Sequence, residues 1–96
     1  MGKTTSLSAV VCDLDGVVWL SHREIHGASA AVSRLREAGV RILFVTNASF
    51  TTRTEVEGHL AAIGIDAAGD VLTSAMAAAA TVRPGSSVLL CGGAGL

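Results

Sequence analysis

The sequence is short of aromatic residues, of net charge, of cysteine and of long apolar runs, and each shortage narrows what the chain can be. Only three of its 96 residues are aromatic, two Phe and one Trp, with no Tyr. Half of the residues are apolar, but many of those are alanine, so Leu, Ile and Val must supply most of a modest core. The length allows at most one small domain. With a net charge of −1, no basic face and no interleaving of aromatic and basic residues, nucleic acid is not an expected partner. No apolar run approaches the length of a membrane span. The N-terminus, Met1-Gly2-Lys3-Thr4-Thr5-Ser6, lacks the apolar stretch of a secretory signal. It satisfies the M-G-x-x-x-[ST] myristoylation pattern, which is specified loosely enough to match often by chance, and lipidation is not expected. Gly2-Lys3-Thr4 echoes the end of a Walker A loop but lacks its first glycine, its preceding strand and its spacing.

Cys12 and Cys91 both sit in Val/Leu-rich runs, where buried strand cysteines behave as small hydrophobes, and a reducing cytoplasm is the expected compartment. His22, His26 and His59 are too scattered for a metal site, although His22 is placed where it could touch a substrate.

What the chain does have is Val10-Val11-Cys12-Asp13-Leu14-Asp15-Gly16-Val17-Val18, an apolar run that ends in two carboxylates and a glycine. Residues 8–14 read as a fully buried strand. Side chains two apart on a strand point the same way, so Asp13 and Asp15 are expected together at its C-terminal end, where open α/β sheets place ligands. Two like charges so close call for a cation, and Mg²⁺ accepts such hard oxygen ligands together with a phosphate.

Residues 16–26 read as irregular or as a small hairpin, a flap over the carboxylates in which Trp19 is a packing residue. From Gly27 to Ala38 the period becomes helical, with Ala28, Ala31, Val32, Leu35 and Ala38 on one face and Gly39 as the stop. Val40–Val45 is a second buried strand, which completes a strand–helix–strand unit with a parallel pair. Thr52-Arg53-Thr54-Glu55 fits a capping box opening a helix that runs to Gly64. Asp70–Thr73 is a short strand, Ser74 caps an alanine-rich helix through about Arg83, Pro84-Gly85 turns, and Val88-Leu89-Leu90-Cys91 is a further strand. The closing glycines lack dinucleotide-loop spacing and are read as a loop.

The second strand ends in Thr46-Asn47, a hydroxyl and an amide that can both donate to phosphoryl oxygens, and backbone N–H groups after the strand ends, Gly16 among them, can add to that cradle. Carboxylates, a cation and oxyanion donors at one point are what phosphoryl transfer requires, with Asp13 as nucleophile and Asp15 as general acid, then base. Either motif alone is weak, since loop aspartates and Thr-Asn pairs are common turn and cap residues.

Asp13-Leu14-Asp15-Gly16-Val17 followed by Thr46-Asn47-Ala48-Ser49 resembles the haloacid dehalogenase (HAD) superfamily, and within it the phosphatase branch that includes the NagD-like and p-nitrophenyl phosphatases (subfamily IIA). Gly27-Ala28, Leu60–Ile65 and Asp70-Val71-Leu72-Thr73-Ser74-Ala75 are similar to that branch as well, so the likeness runs along nearly the whole chain. The resemblance implies an α/β fold with a Rossmann-like parallel sheet and flanking helices, and a Mg²⁺-dependent phosphatase acting on a small phosphate monoester through an aspartyl-phosphate. It implies Asp13 as nucleophile and metal ligand, and Asp15 as acid/base that also meets the metal through its carbonyl. Thr46, Asn47 and Gly16 would bind the phosphoryl group.

The chain departs from that pattern in lacking the family's later lysine, its later acidic pair and its cap domain; the only lysine is Lys3. His26 and Ala48 replace a proline and a second asparagine of many relatives. Residues 1–96 are therefore expected to be the N-terminal portion of a HAD-like core, incomplete and inactive alone, with an exposed strand edge open to self-association. The competing expectation is a non-catalytic α/β module that binds a phosphate ligand or a protein.

Overall fold

A computed structural model describes residues 7–96, so the N-terminal lipidation pattern, the Walker-like tripeptide and Lys3 lie outside the described residues. Along the chain run β1 (Ala9–Asp13), β2 (Trp19–Leu20), β3 (Arg23–Glu24), α1 (Ala28–Glu37), β4 (Arg41–Thr46), α2 (Arg53–Ala62), β5 (Val71–Thr73) and α3 (Ser74–Ala79). β1, β4 and β5 form a parallel sheet in that spatial order, and β2 and β3 form a separate antiparallel hairpin.

The alternation in β4 decides where the core lies. Ile42, Phe44 and Thr46 are buried while Leu43 and Val45 are half-buried, so one face of the sheet is sealed and the other is not. The sealed face carries both long helices: Val32 of α1 and Val56 and Leu60 of α2 join Leu14, Ile42, Phe44, Ile65 and Val71 in one cluster. Phe44, 0% exposed, stands among them as the largest fully buried side chain.

Local sequence explains how the helices start. Thr52 accepts at Oγ1 from the Glu55 N–H (3.1 Å) and Glu55 returns a carboxylate oxygen to the Thr52 N–H (3.4 Å), a complete capping box at α2. α1 has no such residue, because its N-cap is Gly27 at φ 86°. Glu24 of β3 takes the role from a distance, accepting from both the N–H (2.8 Å) and the hydroxyl (2.7 Å) of Ser29. Those bonds, the backbone one foremost, hold the Glu24 carboxyl below its ordinary value. They also tie the hairpin to α1. The turn between β2 and β3 has Ser21 at φ 50° and His22 at φ 64°, the left-handed pair that a two-residue hairpin loop requires.

Several expectations need correction. β1 is not fully buried: among the described residues it is an edge strand with β4 as its single neighbour in the sheet, and Val11 on its open face is 68% exposed. The strand also stops at Asp13, one residue early for the alternation argument. Val88–Cys91 forms no strand and Leu89 is 95% exposed, because among the described residues no neighbouring strand lies alongside to take its hydrogen bonds. The alanine helix begins after Thr73, whose Oγ1 accepts from the Met76 N–H (3.1 Å), so Thr73 rather than Ser74 is the cap. It ends at Ala79, short of Arg83, as β-branched Thr81 and Val82 approach Pro84, which disfavours helical geometry before it. Cys91 is exposed and Cys12 only half-buried, both with free thiols.

Candidate active site

Parallel pairing brings the first two sequence motifs side by side. Asp13 lies across from Val45 in the ladder, so Asp13 closes β1 beside the residue before Thr46, which closes β4. Asp13, Thr46 and Asn47 line one open depression of about 460 Å³ together with Val11, Val45 and Ser74.

Each polar group there keeps some capacity free. Asp13 is exposed, and its Oδ1 accepts from the Leu14 N–H (2.8 Å). Among the described residues nothing donates to its other oxygen. Thr46 is buried to 7% exposure and its Oγ1 accepts from the Ala48 N–H (3.1 Å), which leaves its hydroxyl proton available to an oxyanion. Asn47 is exposed, and its backbone carbonyl accepts from the Ser74 hydroxyl (3.3 Å), a bond from the start of α3 that fixes the loop after β4.

Asp15 and Gly16 are not among the lining residues. After Asp13 the chain leaves the sheet: Leu14 is fully buried and its carbonyl accepts from the N–H groups of Val17, Val18 and Trp19, which folds residues 14–19 into a tight loop. Asp15 sits on that loop, exposed, with Oδ1 accepting from the Trp19 indole Nε1–H (3.1 Å). Gly16 adopts φ 83°, and its N–H donates to the Trp19 carbonyl (2.9 Å). An added Cβ would meet nothing within 4 Å there, so glycine is required by the backbone angle and not by space.

Among the described residues no salt bridge reaches either carboxylate. The ion pairs among the described residues join Arg36 and Arg41 to Asp70, and Arg53 to Glu57; none includes Asp13 or Asp15. Burial first, then the neighbouring Asp13 charge, push the Cys12 thiol up, so this cysteine is a poor nucleophile. The free oxygen of the exposed Asp13 carboxylate suits a hard divalent cation by type, which Asp15 would meet through its backbone carbonyl. Among the described residues no cluster of three His, Cys, Asp or Glu side chains adds to them.

Three features escaped the sequence reading. Ser74, read there as a helix cap, lines the depression. Trp19 is buried as foreseen (3% exposed) but also grips Asp15. His22 and His59, which looked scattered, stack with ring centroids 3.9 Å apart and planes 8° apart, His22 from the hairpin and His59 from α2.

The family model described as haloacid dehalogenase-like hydrolase matches residues 10–96, nearly the whole chain. The chain belongs to this family. Among curated proteins, the acid sugar phosphatase of Staphylococcus saprophyticus is 40% identical over 92 residues, which is 92% of this chain and 36% of that protein. Acid sugar phosphatases of Staphylococcus aureus strains are 39% identical over the same length. Among solved structures, a hypothetical protein from Pyrococcus horikoshii superposes with a TM-score of 0.81 at 30% identity, over 93% of this chain and 36% of that one. NagD from Escherichia coli K-12 gives a TM-score of 0.74 at 26% identity, over 85% and 33%. A glycerol phosphate phosphatase from Mycobacterium tuberculosis, solved in complex with calcium, gives 0.70 at 34% identity, over 90% and 26%. The HAD-like chain thus spans about a third of the length of the relatives it matches, and its parallel sheet with flanking helices is theirs.

Proposed function

We propose that this HAD-like chain carries the nucleophile half of a phosphatase site and belongs to the N-terminal portion of a core that hydrolyses a small phosphate monoester. The observation that carries the reading is the adjacency of Asp13 and Thr46 at the C-terminal ends of neighbouring parallel strands, opening into one depression. The acid sugar phosphatase and glycerol phosphate phosphatase relatives support hydrolysis of a phosphorylated small molecule.

In this reading the free Asp13 oxygen attacks phosphorus as the bond to the leaving oxygen breaks. The electron pair stays on that oxygen, which takes a proton from Asp15. Water then attacks the aspartyl-phosphate and returns a proton to Asp15, and the Asp13 carboxylate is released. Thr46 and Asn47 donate to the equatorial oxygens as charge develops on them. Gly16 lets the backbone turn back beneath the phosphoryl group, its own N–H being held by Trp19. Asp13 and Asp15 would hold a divalent ion, Mg²⁺ by preference, which supplies positive charge to the phosphoryl oxygens. The assay is phosphate release from p-nitrophenyl phosphate with Mg²⁺ by a protein that includes this chain together with the rest of the core; no Mg²⁺-dependent release by such a protein would leave the binding-module reading in possession.

Alone, the 96 residues should turn over poorly. Among the described residues no salt bridge neutralises the two carboxylates, which therefore repel a phosphate dianion, and two ligands hold Mg²⁺ weakly because it dehydrates reluctantly. Calorimetric titration with MgCl₂ is expected to show affinity no tighter than about millimolar, and stoichiometric binding at micromolar concentrations would contradict the incomplete-site account.

The open edge of β1 has a consequence in solution. Ala9 and Val11 are exposed on a strand with one free row of backbone donors and acceptors, the arrangement that recruits another strand. The chain is expected to self-associate, with the apparent mass in size-exclusion chromatography rising with concentration. Val11→Lys should return it to monomer; a monomer at every concentration would refute edge pairing.

A further inference from the structure

The side chain that grips Asp15 belongs to neither motif, and its geometry is specific enough to assign a role. Trp19 is almost fully buried, and its only polar atom, Nε1, reaches Asp15 Oδ1 at 3.1 Å. An indole nitrogen donates and never accepts. The oxygen it occupies therefore has a donor already facing it and is disfavoured as the one that carries a hydrogen. The proton of a neutral Asp15 belongs on the other oxygen, to which nothing among the described residues donates.

The indole is itself held from two sides. The rings of His22 and His59 both stand nearly perpendicular to it, at centroid distances of 4.9 Å and 6.1 Å, and stack on each other. His22 comes from the hairpin turn and His59 from α2, so the two imidazoles bridge elements that the chain places far apart. The Trp19 backbone is fixed as well: its N–H donates to the Leu14 carbonyl (3.2 Å) and its carbonyl accepts from Gly16. Backbone and ring together leave the indole N–H little freedom to point elsewhere.

We propose that Trp19 is a positioning residue: its indole N–H clamps one oxygen of Asp15, leaving the other to carry the transferred proton, and the His22–His59 stack holds the indole in place. The role rests on the acid/base reading of Asp15. A general acid must present its proton within hydrogen-bond reach of the leaving oxygen, and a carboxyl free to rotate would do so only part of the time.

Two measurements test it separately. Trp19 is the only tryptophan, so the indole N–H gives a single resonance in a ¹H–¹⁵N spectrum of the chain. Asp15→Ala, at an exposed position, should move that resonance upfield and speed its exchange with water by about tenfold or more, while Asp13→Ala should leave it in place. His59→Ala should speed the exchange as well. An indole resonance and exchange rate indifferent to Asp15→Ala would overturn the clamp. In the active phosphatase, Trp19→Phe keeps an aromatic ring but removes the donor. It should lower kcat by about 10- to 100-fold with KM within about twofold. An unchanged kcat would overturn the positioning role even if the indole bond is present. Absence of hydrolysis by the parent protein would instead overturn the phosphatase reading, and the indole resonance would still decide the clamp.

Discussion

In the proposed phosphatase that includes this chain with the rest of its core, Asp13→Asn should abolish phosphate release, lowering kcat by a factor on the order of 10³ or more, with the fold unchanged. The amide occupies the same volume, and its carbonyl oxygen can still accept from the Leu14 N–H that now meets Oδ1 at 2.8 Å. What is lost is the second, free oxygen as an anionic nucleophile, because an amide nitrogen in its place has no lone pair to offer phosphorus. The exposed position of Asp13 keeps any change in stability small. Circular dichroism and the unfolding midpoint should therefore match the parent while phosphate release disappears. Retention of activity within tenfold would mean that another group attacks, and the adjacency of Asp13 to Thr46 would lose its meaning. The companion variant Thr46→Val keeps shape and removes the hydroxyl. Because that hydroxyl also receives the Ala48 N–H (3.1 Å), a smaller loss of activity should come with some loosening of the loop after β4.

The second large effect is on stability. Phe44→Ala removes the largest fully buried side chain from the centre of the sheet's sealed face. Large-to-small changes of this kind cost about 3–5 kcal/mol. A domain this small stands toward the low end of the usual range of about 5–15 kcal/mol, so most of its folding free energy would be lost. Urea unfolding followed by far-UV circular dichroism should show the cooperative transition displaced to very low denaturant or missing. Phe44→Leu, which retains most of the volume, should cost about 1–1.5 kcal/mol and keep the transition. A midpoint unchanged in Phe44→Ala would place the core elsewhere than the cluster of Leu14, Ile42, Phe44, Leu60 and Ile65.

What could be read from the sequence is what depends on neighbours along the chain. The capping box at Thr52 and Glu55 and the stop at Gly39 involve residues a few positions apart, the strand–helix–strand order follows from the period of each segment, and each is found where the pattern places it. Asp13 and Thr46 were legible as polar residues closing apolar runs. The rest depends on which strand lies beside which. Val88–Cys91 has strong strand composition and no neighbour to pair with, so propensity misleads. β1 was misjudged in its burial, not in its open edge: a run of Val and Cys reads as buried on both faces, yet the uncovered face of the sheet exposes Val11. The Trp19–Asp15 bond is local but depends on the tight loop over residues 14–19, and the His22–His59 stack arises from a left-handed turn and a helix brought together only by the fold.

The hairpin is less free than a lid. Glu24 fastens it to α1 through Ser29, and His22 lays it against α2. The flap expected from the sequence is thus a segment fastened at two points.

The register of the sheet also governs when the site comes into being. Ala9 pairs with Arg41 and Phe44 with Val71, so both ladders of the parallel sheet join residues separated by a whole helix. Such non-local contacts reward the chain only after the intervening loop has closed, and they form late compared with helices. During synthesis Asp13 emerges first and waits through the hairpin and α1 for Thr46. β1–β4 pairing then brings Asp13 and Thr46 side by side, and Ser74 completes the depression only after β5 has joined the sheet.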